Sequence, residues 1–214
     1  MVVRSWTVVI PVKRLGLAKT RLRGAVPPDR HPDLALAMVR DTAAAVLSAT
    51  AVAGLIVVTD DPAVGGAVRE LGARVVPDPG GGLNAAMRYG ADQAAGLGAY
   101  RAVLAGDLPA LRPEQLDEAL GRVSARSFVP DAAGIGTVLL AAPPGQALDP
   151  RFGGPSAAAH AASGAVRLVR KWPGLRQDVD TAADLDAVLT LGAGPRTCGL
   201  LRDLGLTTEC APAA

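Results

Sequence analysis

Residues 100–109 read YRAVLAGDLP, and this stretch decides how the rest of the chain is interpreted. Its first half is apolar, as expected for a buried strand, and Pro109 prevents the strand from continuing because proline donates no backbone hydrogen bond. Two earlier apolar runs rich in β-branched residues, 7–12 and 54–59, predict buried strands of the same kind. Asp107 is therefore predicted to lie at the carboxyl end of a strand.

Segments with helical patterns alternate with these strands. Apolar residues recur at helical spacing in residues 33–49, and Asp61-Pro62 is an N-cap followed by proline at the first helical position. Further strands are predicted at 73–76, 100–105, 127–130, 136–142 and 165–172, and further helices at 83–95, from 113 onward, at 155–162 and, as the last one, at 180–191. This alternation predicts an α/β fold with a mainly parallel, mixed sheet flanked by helices. Residues 1–206 are expected to form one domain, and 207–214 a disordered tail.

The composition restricts the class of protein. Half of the 214 residues are hydrophobic and the net charge is only +2, so a sizeable core is expected and a nucleic-acid-binding protein is not. No run of about 18 uncharged apolar residues is present, which predicts no membrane span. Two cysteines and no signal segment lead us to expect a cytoplasmic protein with reduced thiols. The oligomeric state is not readable, and a homodimer is left open.

Several common catalytic and binding motifs are missing from the sequence. Neither G-x-G-x-x-G after the first strand nor G-x-x-x-x-G-K-[ST] occurs, which argues against a Rossmann dinucleotide site and a P-loop. The two histidines, His31 and His160, lack the spacing of metal ligands, and no Ser-His-Asp or Cys-His arrangement is evident. A histidine-based metal site is therefore not expected.

Basic residues follow the first strand, where ligands of open parallel sheets bind. Lys13, Lys19 and Arg21 lie in this loop, and two of the three lysines of an arginine-rich chain are used there. Lysine at such a place suggests phosphate binding, although a solvated loop is an equally good interpretation. Asp107 and Asp178 together offer carboxylates suited to Mg²⁺. Asp180 has a simpler role, because either Asp180 or Thr181 is a good N-cap for the helix that follows.

A series of motifs is spread along the sequence. The motifs are Val12-Lys13-Arg14-Leu15 with Ala18-Lys19-Thr20-Arg21-Leu22, Leu83-Asn84-Ala85-Ala86, Gly106-Asp107-Leu108-Pro109-Ala110-Leu111, Gly134-Ile135-Gly136-Thr137, Asp149-Pro150-Arg151-Phe152-Gly153-Gly154-Pro155-Ser156 and Asp178-Val179-Asp180-Thr181. They cover nearly the whole chain, and in this order they resemble the guanylyltransferases of coenzyme F-420 biosynthesis. D-P-R-F-G-x-x-S together with K-x-R-L is the most specific part, whereas D-x-D-T is shared with many related nucleotidyltransferases.

The resemblance implies a nucleotidyltransferase (glycosyltransferase-A-like) fold of Rossmann type. It also implies transfer of GMP from GTP to a small phosphorylated three-carbon acid, phosphoenolpyruvate or 2-phospho-L-lactate, with release of pyrophosphate. Two Mg²⁺ ions would be held by Asp107 and Asp178. Thr137, Gly153 and Ser156 would bind phosphoenolpyruvate. An actinobacterial-looking composition favours phosphoenolpyruvate over phospholactate.

The residues are physically consistent with this reaction. The acceptor phosphate is largely ionised at neutral pH because its second pKa is about 6, so it needs no protein base. Lys13, Lys19 and Arg21 would hold the triphosphate and stabilise the leaving pyrophosphate. Gly106 and Asn84 are the other candidate nucleotide contacts, with an N-cap as the alternative for Asn84. His160 lies on the same helix face as Ser156, but packing is its simpler role.

Two alternatives remain open at this point. One is a molybdopterin-type nucleotidyltransferase that uses another base and acceptor. Such relatives usually have a glycine-rich loop after the first strand, whereas this loop is basic, with only Gly16 before Gly24. The other is a non-catalytic nucleotide-binding domain, which would have little need for two separated carboxylates.

Overall fold

The computed structural model describes residues 5–17, 26–94, 100–207 and 210. These residues form seven strands and eight α-helices. The strands are β1 (Trp6–Pro11), β2 (Val52–Val58), β3 (Arg74–Val76), β4 (Tyr100–Leu104), β5 (Ser127–Pro130), β6 (Thr137–Ala142) and β7 (Val166–Arg167). The helices are α1 (His31–Ser48), α2 (Pro62–Glu70), α3 (Leu83–Asp92), α4 (Pro113–Gly121), α5 (Ser156–Ala162), α6 (Pro173–Arg176), α7 (Ala182–Leu191) and α8 (Pro195–Asp203).

All seven strands belong to one sheet with the order β3-β2-β1-β4-β6-β5-β7. β1 pairs in parallel with both β2 and β4, whereas β6 runs antiparallel to β4 and β5. The predicted mainly parallel, mixed α/β sheet is thus confirmed. The chain proceeds outward from β1 to β3 and then returns to place β4 on the other side of β1. This reversal creates a crevice at the carboxyl ends of β1 and β4, where such folds bind ligands.

Helices cover both faces of the sheet, and alternate residues of β1 show how the two faces are filled. Val8 and Ile10 pack into one hydrophobic cluster with residues of α1, α2 and α4. Val9 faces the opposite cluster, which contains residues of α3 and α5. All three side chains are fully buried, and burial of each contributes about 1.5–3 kcal/mol. With few aromatic residues, the core is built mainly from Val, Leu and Ala, as expected.

Capping residues set the ends of two helices near the crevice. The Asp61 carboxylate accepts from the backbone N–H groups of Ala63 and Val64 at the start of α2, as its Asp-Pro pattern predicts. Thr181 caps α7 in a capping box with Asp184. Of the two predicted N-cap candidates, Thr181 is confirmed, and Asp180 is not the cap.

The predicted strand at 165–172 is reduced to two residues, and the reason lies in its neighbour. The Leu168 N–H donates to the carbonyl of Phe128 in β5. The next parallel ladder bond would need an N–H at position 130, where Pro130 has none. The edge strand therefore ends, and the chain forms α6 instead. Two helices, α6 and α8, were not predicted, so α7 is not the last helix.

The two cysteines are joined in a disulfide, which corrects the expectation of reduced thiols. Cys198 lies in α8, and its Cα is 6.1 Å from that of Cys210. The chain reverses after α8 at Gly205, whose φ of 68° suits glycine, and this turn returns Cys210 to the helix. Most of the tail expected to be disordered lies outside the described residues. None of the helices in the described part of the chain is both long and apolar enough to span a membrane.

Candidate active site

A cleft of about 600 Å³ opens at the crevice between β1 and β4. Its walls include Val12 and Lys13 after β1 and Gly106 and Asp107 after β4. Of the residues predicted for the site, seven line this cleft: Lys13, Gly106, Asp107, Thr137, Gly153, Ser156 and Asp178. Lys19 and Arg21 lie outside the described residues, so their roles stay predictions.

The backbone around Asp107 is held from two sides. The Leu108 N–H donates to the hydroxyl of Thr42 in α1 at 3.0 Å, and this hydroxyl donates to the carbonyl of Met38 at 2.8 Å. On the other side the Val179 N–H donates to the Asp107 carbonyl at 3.2 Å. The segment carrying Asp178 therefore lies directly beside the end of β4. This contact brings together Asp107 and Asp178, which are separated by about a third of the chain.

Four aspartates line one part of the cleft, which we call the acidic region: Asp107, Asp131, Asp178 and Asp180. Burial, together with the negative charges of Asp107, Asp180 and Asp131, raises the pKa of Asp178 to about 7. Such crowding of like charges indicates a place that favours a cation. The sequence reasoning missed Asp131, although its position immediately after a strand was a usable signal.

The Asp131 carboxylate also shapes the loop between β5 and β6. It accepts from the N–H groups of Ile135 at 2.9 Å and Gly136 at 2.7 Å. A Cβ at position 136 would lie 2.4 Å from Asp131 Oδ2, so this close approach requires glycine. Arg176 donates to the carbonyls of Pro130 and Asp131 from outside. The loop that leads into Thr137 is therefore fixed by hydrogen bonds at both ends.

The donors in the acidic region fit magnesium better than a transition metal. Carboxylate oxygens are the ligands that Mg²⁺ prefers, and it commonly takes one or two of them while phosphates and water supply the rest. Within residues 5–17, 26–94, 100–207 and 210, no group of three or more His, Cys, Asp or Glu side chains forms a complete metal cage. A metal held by Asp107 and Asp178 would therefore need further oxygens from water or from a bound substrate.

A second part of the cleft carries no net charge, and we call it the neutral region: Thr137, Gly153, Gly154 and Ser156. Gly153 and Gly154 have φ values of 106° and 54°, which lie in the range that favours glycine. Ser156 is buried at the start of α5, and the adjacent Ala157 N–H donates to the Ile135 carbonyl. This bond ties α5 to the loop before Thr137.

His160 lies behind the neutral region and is fully buried. Its Nδ1 is 2.9 Å from the Thr137 hydroxyl oxygen, and its Nε2 accepts from the Arg151 N–H at 2.9 Å. Burial, together with the charge of Arg126 and against the opposing charge of Asp149, lowers the pKa of His160 to about 4. The ring is therefore neutral at physiological pH. Packing alone, the role expected from sequence, does not describe this residue.

Asn84 holds the loop formed by residues 149–154 rather than capping its own helix. Its side-chain Nδ2 donates to the Phe152 carbonyl at 2.9 Å, and its Oδ1 accepts from the Phe152 N–H at 2.8 Å. The N-cap of α3 is Gly82, so the capping alternative for Asn84 is wrong. The predicted nucleotide contact of Asn84 is not tested, but both ends of its amide already have backbone partners.

The same loop is anchored at its start by charge. The Asp149 carboxylate accepts from Arg126 at 3.3 Å and from Arg151 at 3.0 Å. Burial raises the pKa of Asp149, but these two guanidinium groups outweigh it and hold the pKa below its usual value. Loop 149–154 is thus fastened by Arg126, Asn84 and His160, which come from three different segments of the chain.

The chain is similar in sequence to known guanylyl transferases. Residues 6–213 match the family model described as "Guanylyl transferase CofC like". A phosphoenolpyruvate guanylyltransferase from Salinispora arenicola is 59% identical over 202 residues, covering 91% of this chain and 94% of that protein. One from Geodermatophilus obscurus is 55% identical over 207 residues, covering 93% and 95%.

A solved structure supports the fold independently. It is a presumed nucleotide-diphospho-sugar transferase from Desulfovibrio desulfuricans, with a TM-score of 0.71 at 18% identity over 94% of this chain and 96% of that one. The family match extends over the strands, the cleft and both of its regions. The chain belongs to the CofC-like guanylyl transferase family.

Proposed function

We propose that this chain transfers GMP from GTP to phosphoenolpyruvate, giving enolpyruvyl-diphospho-5'-guanosine and pyrophosphate in coenzyme F-420 biosynthesis. The relatives from Salinispora and Geodermatophilus carry the name of this activity at 59% and 55% identity. The observation that carries the proposal is the cleft itself. It joins an acidic region suited to a metal-bound triphosphate to a neutral region built from a hydroxyl and glycine backbone.

The reaction needs no general base from the protein. An oxygen of the acceptor phosphate attacks the α-phosphorus of GTP, the bond from this phosphorus to the β-phosphate oxygen breaks, and pyrophosphate leaves with the electron pair. The attacking oxygen is already ionised at neutral pH, since the second pKa of such a phosphate is about 6. His160 is not the base, because the Arg151 N–H already occupies its Nε2.

The protein's own residues would position the two anions and offset their repulsion. Lys13 lies exposed at the end of β1, on the wall of the cleft, where it can contact the triphosphate. Lys19 and Arg21 are proposed to assist it. Gly106 lines the cleft, and its backbone packs closely on β1, since a Cβ there would lie 3.0 Å from the Ile10 side chain. Mg²⁺ bound by Asp107 and Asp178, two ions in our proposal, would neutralise phosphate charge and align the reacting oxygens.

On the acceptor side, Thr137, Gly153 and Ser156 are proposed to bind phosphoenolpyruvate. Thr137 offers a hydroxyl, and the two glycines of positive φ present backbone without side-chain obstruction. These groups suit a small anion that already carries its own nucleophile. A cytoplasmic location, where both substrates occur, is part of the proposal, and a homodimer stays a prediction.

Pyrophosphate release tests the proposal directly. We would compare GTP, CTP and ATP, each with phosphoenolpyruvate and with 2-phospho-L-lactate, in the presence of Mg²⁺. The expected result is fastest release with GTP and phosphoenolpyruvate. Release only with phospholactate would overturn the acceptor, and preference for CTP would favour a molybdopterin-type transferase. Binding of GTP with no release under any condition would indicate a non-catalytic domain.

A further inference from the structure

The hydrogen bonds at His160 decide which ring nitrogen carries the proton. A backbone N–H can only donate, so the bond from Arg151 requires a lone pair on Nε2. A neutral imidazole has one N–H, which must then be on Nδ1. The bond from the Arg151 N–H therefore selects the neutral Nδ1–H tautomer.

This tautomer determines the direction of the hydrogen bond to Thr137. With the proton on Nδ1, His160 donates to the Thr137 hydroxyl oxygen across 2.9 Å. The hydroxyl's own hydrogen is then directed to another acceptor. Thr137 is buried but lines the cleft, so an anion in the cleft is such an acceptor. A hydroxyl that both accepts from a buried ring and donates to a ligand has its orientation set before the ligand arrives.

We propose that His160 is a positioning residue, which fixes the Thr137 hydroxyl as a hydrogen-bond donor to the anionic acceptor and holds loop 149–154 beside it. The inference rests on the proposed function, because it assigns the acceptor to the neutral region. It adds a residue that does not itself line the cleft and explains why a buried neutral ring lies there.

The surroundings of the ring support a fixed orientation. Phe128 and Phe152 flank the imidazole with ring centroids at 5.7 and 5.0 Å, the latter edge to face. A charged imidazolium would carry a hydrogen on Nε2 facing the Arg151 N–H, and the bond that holds the loop would be lost. Arg126, Asp149 and Arg151 are the charged groups around the ring, and the two arginines disfavour a second proton.

Substitutions can separate the two bonds of the ring. In His160→Gln the amide oxygen can replace Nε2 and keep the Arg151 bond, while the donor to Thr137 is lost. In His160→Asn the amide nitrogen can replace Nδ1 and keep the Thr137 bond. We expect His160→Gln to raise the KM for phosphoenolpyruvate by about 10-fold, the effect of one hydrogen bond to a charged group, with the KM for GTP changed less than about 2-fold. His160→Asn should recover much of this loss.

A second pair of variants tests whether His160 acts through Thr137. Thr137→Val removes the hydroxyl at similar volume, and we expect a similar or larger rise of the acceptor KM, which Thr137→Ser should largely reverse. In the Thr137→Val background, His160→Gln should add less than about 2-fold, because coupled residues are not additive. Fully additive effects, or an equal rise of the KM for GTP, would overturn the proposal. His31→Gln is the control, since His31 is also buried, but its ring bond goes to the Val26 carbonyl and not to Thr137 or loop 149–154.

The tautomer can be measured without activity and in the wild-type protein. Long-range ¹H–¹⁵N correlation spectra of the substrate-free protein at pH 7 should show His160 as the neutral Nδ1–H form. An Nε2–H tautomer or an imidazolium would refute the inference and leave the proposed function standing. A correct tautomer in a protein that does not turn over GTP and phosphoenolpyruvate would refute the proposed function, and with it the acceptor role given to Thr137.

Discussion

The acidic and neutral regions share one cleft but differ in their charge and in how their groups are paired. The acidic region collects four carboxylates, and one of them, Asp178, has its pKa raised to about 7 by burial and by its neighbours. The neutral region consists of bonded, uncharged groups backed by a histidine whose pKa is lowered to about 4. The acidic region therefore holds crowded negative charge that a cation would relieve, whereas the neutral region is held by hydrogen bonds among its own groups.

The largest expected effect comes from removing the central carboxylate of the acidic region. Asp107→Ala should lower kcat/KM for GMP transfer by at least about 1000-fold, because charge stabilisation by a bound metal contributes several kcal/mol to such reactions. Pyrophosphate release measures the loss. Glu114→Gln, at an exposed acidic residue in the first turn of α4, is the control and should change little. Near-normal activity of Asp107→Ala would mean that the acidic region is not the metal site.

His160, which lies behind the neutral region, should make the free energy of unfolding depend on pH. The folded-state pKa of His160 is about 4, below its ordinary value of 6.5, so the unfolded chain takes up the proton first on acidification. The stability that this residue contributes is present above pH 6.5 and is lost as the pH falls toward 4. Between pH 7 and 5 we expect a loss of about 2 kcal/mol from this group, measured by urea unfolding, and its absence in His160→Gln. Equal pH slopes in both proteins would contradict a buried neutral ring.

Asp178 in the acidic region should change the stability of the protein with pH in the direction opposite to His160. The pKa of Asp178 in the folded protein is above its ordinary value of 3.8, so ionisation costs stability as the pH rises from about 4 to about 7. Without metal, Asp178→Asn should be more stable than wild type, with the advantage larger by on the order of 1 kcal/mol at pH 8 than at pH 5 after allowance for solvent screening. Mg²⁺ should reduce this advantage by stabilising the wild type. If Asp178→Asn were less stable than the wild type at pH 8, the proposal that Asp178 is destabilised by the neighbouring carboxylates would be contradicted.

Much of this fold was predictable because its signals are local. Apolar runs marked the strands, Asp61-Pro62 marked the start of α2, and the position of Asp107 after a buried strand indicated its place in the cleft. Contacts between segments that are distant in the sequence were harder to predict. The early end of β7 depends on Pro130 in a strand that neighbours it only in the folded chain, and the disulfide depends on the reversal after α8.

The site residues likewise differ in how well the sequence predicts them. Asp107 and Asp131 follow strands, and Asp178 and Asp180 precede a helix. The aspartates could therefore be found from local sequence signals, although Asp131 was overlooked. The role of His160 could not, since its partners Thr137 and Arg151 are 23 and 9 residues away and one of them bonds through its backbone. Asn84 likewise acts on the backbone of Phe152, 68 residues further along the chain. Side-chain bonds to distant backbone leave no pattern in residue types.

The most direct test of the account is to identify the product. Phosphoenolpyruvate carrying ¹⁸O in its phosphate would be incubated with GTP and Mg²⁺, and the nucleotide product analysed by mass spectrometry. We predict a guanosine diphosphate ester of enolpyruvate that retains all of the label, because an acceptor oxygen attacks the α-phosphorus of GTP and becomes the bridge. Recovery of GMP without the three-carbon acid, or of unchanged GTP, would contradict GMP transfer in this cleft.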